Sequence, residues 1–188
     1  KATIGTLKDI TLQKELEQTL LNQKNLFKGV ADAANILLTE RDFDIAIKNT
    51  LRSLGESSDI DRVYIFENNI DEENSKYMMN QRYEWTNGSV SSEINNPDLQ
   101  NLNYFPMFEN WYPVLKNGGS INSLVKDLNP QLQELMSIQN IKSILLVPII
   151  VKKEFWGFIG FDYCKSDRIW SESEISILQT TAANLGAV

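Results

Sequence analysis

Histidine is absent from this chain of 188 residues. Without an imidazole, the chain has no histidine to ligate haem iron or zinc, to act as a general base or to accept a phosphoryl group. A Ser-His-Asp triad and a Cys-His pair are excluded for the same reason. This absence removes several classes of enzyme and metal site before any motif is considered.

Cysteines, basic clusters and long apolar runs are also scarce. Cys164 is the only cysteine, so no intrachain disulfide can form, and we expect a reducing compartment, the cytoplasm. No apolar stretch reaches the roughly 20 residues of a membrane span, and no signal peptide is visible, so no membrane contact is expected. The net charge of −7 argues against a nucleic-acid partner. Because the chain begins at Lys1, we expect a piece of a longer protein.

The residues that are present predict a globular domain with an α+β pattern, since 42% of them are hydrophobic and 10% aromatic. One domain with additional elements fits this length. Apolar spacing predicts one long helix, or two abutting helices, over residues 9–38, and another helix over residues 42–55. Strands are predicted over residues 62–67, 77–86, 120–122, 143–151 and 154–164.

The segment between these strands, residues 89–139, is irregular and rich in aromatic residues, with a helix expected over 130–139. A segment of this length is expected to have a function. The turn at Lys152 and Lys153 lacks the Asn-Gly or Gly of a tight hairpin, so a slightly longer loop is expected there.

The last third of the chain combines this hairpin with a strong helix start. Ser171 and Glu174 form an S-x-x-E capping box, and Trp170 and Ile175 occupy the positions of a hydrophobic staple. Hairpin, tryptophan and capped helix resemble the closing segment of a GAF domain. Further landmarks are DRVYIFEN at 61–68, YEW at 83–85, W-x-x-x-L-x-x-G-G at 111–119, VPI at 147–149 and FWGFIGFD at 155–162.

The resemblance covers residues 23–188, which we interpret as the GAF domain. It implies a GAF/PAS-like antiparallel sheet of five or six strands, with the N- and C-terminal helices on one face and a ligand pocket on the other. The pattern G-x-x-x-D-I-T at residues 5–11, followed by a charged helix, resembles the exit of a PAS domain. Residues 1–22 are therefore interpreted as the end of a PAS-like domain, with a strand end at 2–4, and a signalling linker helix. An ordinary amphipathic helix is the alternative.

The resemblance places the ligand pocket under the irregular segment. Candidate lining residues are aromatic, although aromatic residues at such spacings also form cores. They are Trp85, Trp111, Tyr83, Phe105 and Phe161.

Family markers for prosthetic groups are missing. Bilin-binding members use a cysteine that usually precedes a histidine in the middle segment, whereas Cys164 ends a strand. The Asn-Lys-Phe-Asp-Glu signature of cyclic-nucleotide-binding members is also absent. The expectation is therefore no haem, no bilin and no metal, and a small-molecule ligand of unknown identity is left open.

Several polar features have a plain structural interpretation. A lone cysteine at a strand end is most often a small buried hydrophobic residue, although Cys164 could also be a redox site. Arg82 and Glu84 share the polar face of one strand and are expected to be solvated, with ligand contact as the alternative. The acidic residues 71–73 lack the spacing of a calcium loop and are also expected to be solvated.

The terminal helices carry apolar residues at three- and four-residue steps, which predicts a dimer seam. Its candidates are Leu12, Leu16, Leu20, Ile175, Leu178 and Leu185. We expect a homodimer, because two-fold dimers are the commonest oligomers.

These features resemble the sensory domains of multi-sensor bacterial, cyanobacterial-type histidine kinases. The expected function is binding of a small molecule, or relay of an upstream signal from an adjacent PAS domain, to an output domain outside this chain. A ligand-free dimerisation spacer is the alternative. An enzyme like the GAF-like methionine sulfoxide reductases is not expected, because those need catalytic cysteines in a loop.

Overall fold

The structure is a computed structural model that describes residues 2–71 and 76–187, with side chains described for residues 10–70 and 77–187. Six antiparallel strands form one sheet in the order β3-β2-β1-β6-β5-β4. They are β1 (Arg62–Asp71), β2 (Lys76–Thr86), β3 (Leu102–Asn103), β4 (Ile121–Leu124), β5 (Ser143–Val151) and β6 (Glu154–Tyr163). The sheet and its helices confirm the predicted α+β fold.

Three helices lie on one side of the sheet, which we call the helix side. They are α1 (Ala2–Thr39), α2 (Phe43–Ser58) and α5 (Glu172–Leu185). Helices α2 and α5 contact the strands, and α1 packs against these two helices. Asp42 caps α2 by accepting a 3.0 Å hydrogen bond from the backbone N–H of Ile45. The predicted capping box of Ser171 and Glu174 is present at the start of α5. Both caps satisfy backbone donors that a helix leaves unpaired in its first turn.

The other face is covered by residues 87–142, apart from the edge strands β3 and β4 that this segment contributes to the sheet, and we call this cover the cap. The cap contains α3 (Trp111–Lys116), α4 (Pro130–Ile138) and two 3-10 turns (Pro97–Leu99 and Val125–Asp127). Side chains of a strand alternate between faces. Val63 and Ile65 therefore pack on the helix side, whereas Tyr64 and Phe66 pack under the cap. The sheet thus separates two apolar cores.

A β-bulge changes this alternation in β2. Tyr83 pairs with Ile65, but the next residue of β1, Phe66, pairs with Gln81, which leaves Arg82 without a partner. One extra residue reverses the phase of a strand. Met79 consequently belongs to the core under the cap, while Tyr83 packs on the helix side, although simple alternation predicts both on one face.

Two local predictions are wrong. The β5–β6 connection is a two-residue turn, because Lys152 and Lys153 adopt positive φ values of 50° and 72°, as a type I′ turn requires. The strand end expected at residues 2–4 is helical, since α1 begins at Ala2 and continues without a break to Thr39. The division at 22/23 lies inside this helix and stays a prediction. No helix of the described residues is long and apolar enough to cross a membrane.

Candidate functional site: a cavity between sheet and cap

A small cavity lies between the sheet and the cap. Its volume is about 60 Å³, which is room for a few water molecules and below the roughly 300 to 1,000 Å³ of small-molecule pockets. Most of its wall is apolar, with a polar end near the start of β1 and the end of β6. The lining residues are Arg62, Tyr64, Phe66, Met79, Gln81, Glu93, Leu99, Leu102, Phe108, Trp111, Leu135, Met136, Gln139, Ile141, Phe158 and Asp162.

Arg62 is the centre of the polar end. It faces Asp162 on the adjacent strand, and its Nη1 donates to Asp162 Oδ2 at 3.1 Å and to Gln139 Oε1 at 2.8 Å. Nη2 donates to the backbone oxygen of Ser91 at 2.9 Å. Nε lies 3.2 Å from Glu84 Oε1, an ion pair without hydrogen-bond geometry. The Arg62 guanidinium therefore contacts two buried carboxyl groups, and it also bonds to two residues of the cap, Ser91 and Gln139.

Glu84 connects β2 to the cap. Its side chain is only 2% exposed, and its carboxylate accepts from the backbone N–H groups of Glu93 and Ile94 and from the Ser92 hydroxyl. The prediction that Glu84 is solvated is therefore wrong, because the bulge directs its side chain under the cap. Arg82 does remain exposed and pairs with Glu67 at 3.1 Å.

Burial controls the titration of this cluster. Burial raises the pKa of Asp162 to about 6, while Arg62 and the Tyr64 hydroxyl, 3.0 Å from Asp162 Oδ1, oppose the rise. Burial also raises the pKa of Tyr64 well above its usual value. Burial lowers the pKa of Arg62, but the charges of Asp162 and Glu84 outweigh this and raise it overall. Arg62 therefore keeps its positive charge at neutral pH.

Gln81 contributes an unsatisfied acceptor to the cavity. Its side chain is buried, and Oε1 has no hydrogen-bond partner. The amide orientation is determined by Glu84 Oε1, 3.4 Å from Gln81 Nε2, because a carboxylate only accepts hydrogen bonds. The free atom is therefore the oxygen.

A second, polar cleft of about 350 Å³ lies outside the cavity and shares Arg62, Glu93 and Gln139 with it. Cys164 lines this outer cleft and is half-buried. Burial raises the pKa of its thiol to about 11, so the thiol stays protonated at neutral pH. This agrees with a structural role for the cysteine.

Only one of the five predicted pocket residues lines the cavity. Trp111 does so from the start of α3. Trp85, Tyr83 and Phe161 pack on the helix side, so their assignment to this cavity is corrected. Phe105 lies in the cap but is 48% exposed. Sequence reasoning did not identify Arg62, Glu84 and Asp162 as site residues. A usable signal was present for two of them, because Arg62 begins the apolar strand β1 and Asp162 lies at the end of the apolar strand β6.

The predicted seam residues separate into two groups. Leu12, Leu16 and Leu20 are exposed on α1 and are free to meet a partner. Leu178 and Leu185 are buried in the core of the same chain, and the part-buried Ile175 packs against that core. The assignment of α5 residues to the seam is corrected, because α5 uses its apolar stripe to cover the sheet.

Metal ligands are not grouped in the described residues, where no set of three or more Cys, Asp or Glu side chains could hold an ion. The acidic side chains of residues 71–73 lie outside the described side chains.

An antiparallel sheet with helices on one face and a cavity-forming cap on the other defines the class of this protein as a small α+β domain. The chain belongs to the GAF domain family, which matches residues 42–188. It is 44% identical over 182 residues, 97% of its length, to the methanogenesis regulatory histidine kinase FilI of Methanothrix harundinacea (strain 6Ac). The chain spans 20% of that relative. Family and relative support a sensory or regulatory role.

Three solved structures show the same fold at low sequence identity. The far-red-absorbing dark state of JSC1_58120g3 with bound biliverdin IXa has a TM-score of 0.65 at 16% identity, over 85% of this chain and 96% of that one. The cyanobacteriochrome TePixJ GAF domain has a TM-score of 0.63 at 16% identity, over 80% and 91%. A chromophore-binding domain of a Stigmatella aurantiaca bacteriophytochrome has 0.65 at 10% identity, over 86% and 59%.

These neighbours correct one expectation. The sequence markers predicted that a bilin is excluded, whereas a structure of the same fold holds biliverdin, so the fold itself accommodates such a group. A cofactor of this size would need more room than the present 60 Å³, and the cap would have to move away from the sheet to provide it.

Proposed function

We propose that the chain is the sensory module of a histidine-kinase-type signalling protein and that the cavity between sheet and cap binds a small molecule. The observation that supports this proposal is a mostly apolar cavity with a buried polar cluster at one end, which is the usual composition of a ligand site. Binding, and no catalysis, is the proposed activity.

The cavity would enlarge on binding. Arg62, Glu93 and Gln139 separate it from the outer cleft, and the cap is attached to Arg62 through Gln139 and the backbone of Ser91. If Glu93 and Gln139 move apart while Arg62 keeps its bonds to Asp162 and Ser91, the cavity and the cleft join into a site of ordinary ligand size.

The relay would use the opposite face of the same strands. Tyr64 and Asp162 touch the cavity, while their chain neighbours Val63 and Phe161 pack against the helices. A ligand that favours one cap position would shift the population of helix arrangements, provided that it binds the two states with different affinity.

Contacts after β6 extend this route to the helices. The backbone N–H of Arg168 donates to Ser143 Oγ at 2.7 Å, and its guanidinium donates to the backbone oxygen of Ser58 in α2 and to Glu174 in α5. Gln23 of α1 donates to Ser173 of α5 at 3.0 Å. A shift at the end of β6 would therefore act on all three helices.

In the whole protein, α1 would join an upstream PAS-like domain and α5 would lead towards the output domain. We propose a cytoplasmic homodimer in which the exposed leucines of α1 form the seam.

Native mass spectrometry tests ligand binding in three forms of the chain that have been incubated with a small-molecule extract of the source organism. The wild type is expected to retain a ligand, and Leu135→Trp, which fills the cavity, is expected to lose it. Gln131→Trp is the matched control, because Gln131 is exposed on the same helix and lines neither the cavity nor the outer cleft. A wild type without a retained mass, or a Leu135→Trp variant that retains it equally, contradicts the proposal.

A ligand-free relay spacer is the second candidate, and the small cavity volume favours it. Hydrogen exchange distinguishes the two. A sensor shows changed exchange in α1 and α5 when the retained ligand is added back, whereas a spacer shows none.

A further inference from the structure

The chemical class of the ligand can be inferred from the polar atoms of the cavity. This inference rests on the proposed binding function of the cavity. Gln81 Oε1 is a buried acceptor without a partner, and an unpaired buried polar group carries a desolvation cost. A ligand with an N–H or O–H group that reaches Gln81 would remove this cost, whereas a ligand that only accepts hydrogen bonds would not.

The charged side chains around the cavity provide a second, independent criterion for the ligand. Arg62 is directed at protein acceptors, with Asp162, Gln139 and Ser91 on its Nη atoms and Glu84 beside Nε. It lies among carboxylates that exceed it in number, since Glu93 also lines the cavity. An anionic ligand would meet this negative wall in a partly dehydrated site, where like charges repel strongly.

We propose that the cavity selects compact, mainly apolar molecules that carry a hydrogen-bond donor for Gln81 and no negative charge. The apolar part would contact Met79, Met136 and Phe158, and the donor would bond to the unpaired Gln81 oxygen. Carboxylic acids and phosphate esters are rejected by the same groups.

Three probes of equal size test this selection. Acetamide, acetone and acetate each have four non-hydrogen atoms and nearly the same shape, but only acetamide has an N–H donor and only acetate is charged. The chain has four methionines, so a sample labelled with ¹³C at the methionine methyl groups gives four NMR signals. Met79 and Met136 line the cavity, while Met78 and Met107 do not and act as internal controls.

Acetamide is expected to shift the Met79 and Met136 signals to saturation, with an affinity about fivefold above that of acetone, as one hydrogen bond provides. Acetate is expected to leave both signals in place. In Gln81→Leu the preference for acetamide over acetone should disappear while acetone still binds. Unchanged Met78 and Met107 signals would show that this variant is folded.

Each other outcome has a definite meaning. Equal or stronger binding of acetone or acetate overturns the proposed class but leaves cavity binding intact. A cavity that responds to none of the three overturns both the class and the binding function, and favours the spacer. A preference for acetamide that survives Gln81→Leu shows that another group supplies the selection, which overturns the assigned role of Gln81.

Discussion

Arg62 and Asp162 face each other across β1 and β6, with Arg62 Nη1 3.1 Å from Asp162 Oδ2. This pair lies where the sheet, the cap and the chain leading to α5 meet. Because Arg62 also contacts Glu84 and the cap, loss of the guanidinium would affect all of these parts at once.

Arg62→Met removes the charge while keeping much of the side-chain length. It leaves Asp162 and Glu84 buried without their cation, and breaking a buried pair in this way costs about 3 to 5 kcal/mol. Urea denaturation should show this loss in the free energy of unfolding. Arg82→Met is the control, because Arg82 is 57% exposed and its pair with Glu67 should contribute no more than about 1 kcal/mol. Similar effects of the two variants would contradict the structural role of Arg62.

Asp162 should make stability depend on pH in the opposite sense to a surface-paired carboxylate. Its pKa is raised to about 6 in the folded state, so this residue favours folding most below the unfolded pKa and the contribution is lost as pH rises through about 6. Arg62, Tyr64, Glu84 and Cys164 are the ionisable groups facing it.

We therefore expect the wild type to gain about 1 kcal/mol relative to Asp162→Asn when the pH is lowered from 7 to 5. Urea denaturation of both proteins at the two pH values measures this difference. Asp32→Asn, at an exposed position on α1, controls for changes in overall charge. If the wild type instead loses stability relative to Asp162→Asn when the pH is lowered from 7 to 5, Asp162 is held ionised in the folded state.

Gly160 leaves space for the ring of Tyr64, which lies where a Cβ atom would be. Gly160→Val should overpack this position and cost about 1 to 3 kcal/mol. At Gly157 the backbone of Phe66 occupies the corresponding position. A double-mutant cycle with Tyr64→Leu measures the coupling. The cost of Gly160→Val should fall in that background, and an unchanged cost would exclude the Tyr64 ring as its cause.

The exposed leucines of α1 predict self-association. Replacing Leu12, Leu16 and Leu20 by Lys should abolish a dimer that is seen by analytical ultracentrifugation of the wild type, because an apolar stripe on a helix is stable in water only when covered. Leu38→Lys is the control, since Leu38 is exposed at the other end of the same helix. A wild type that remains monomeric at high concentration removes the dimer prediction.

Periodicity, turn chemistry and capping determined most of the fold from the sequence alone. The four long strands, the short strand β4, helix α4 and the capping box of α5 lie within a few residues of their predicted positions. These features depend on local chemistry. The family resemblance was equally local, because it rested on short motifs near the strands and on the cap of α5.

The site was decided by tertiary structure. Arg82 has no partner in the ladder between β1 and β2, and this one extra residue reverses the alternation of β2. Tyr83 and Trp85 therefore face the helices, and Glu84 is buried under the cap. Periodicity cannot locate such a bulge, because the extra residue depends on the pairing of two strands. The pairing of Arg62 with Asp162, 100 residues apart, likewise depends on the register of β1 and β6. The sequence therefore determined which elements form, while strand register decided which side chains meet in the cavity.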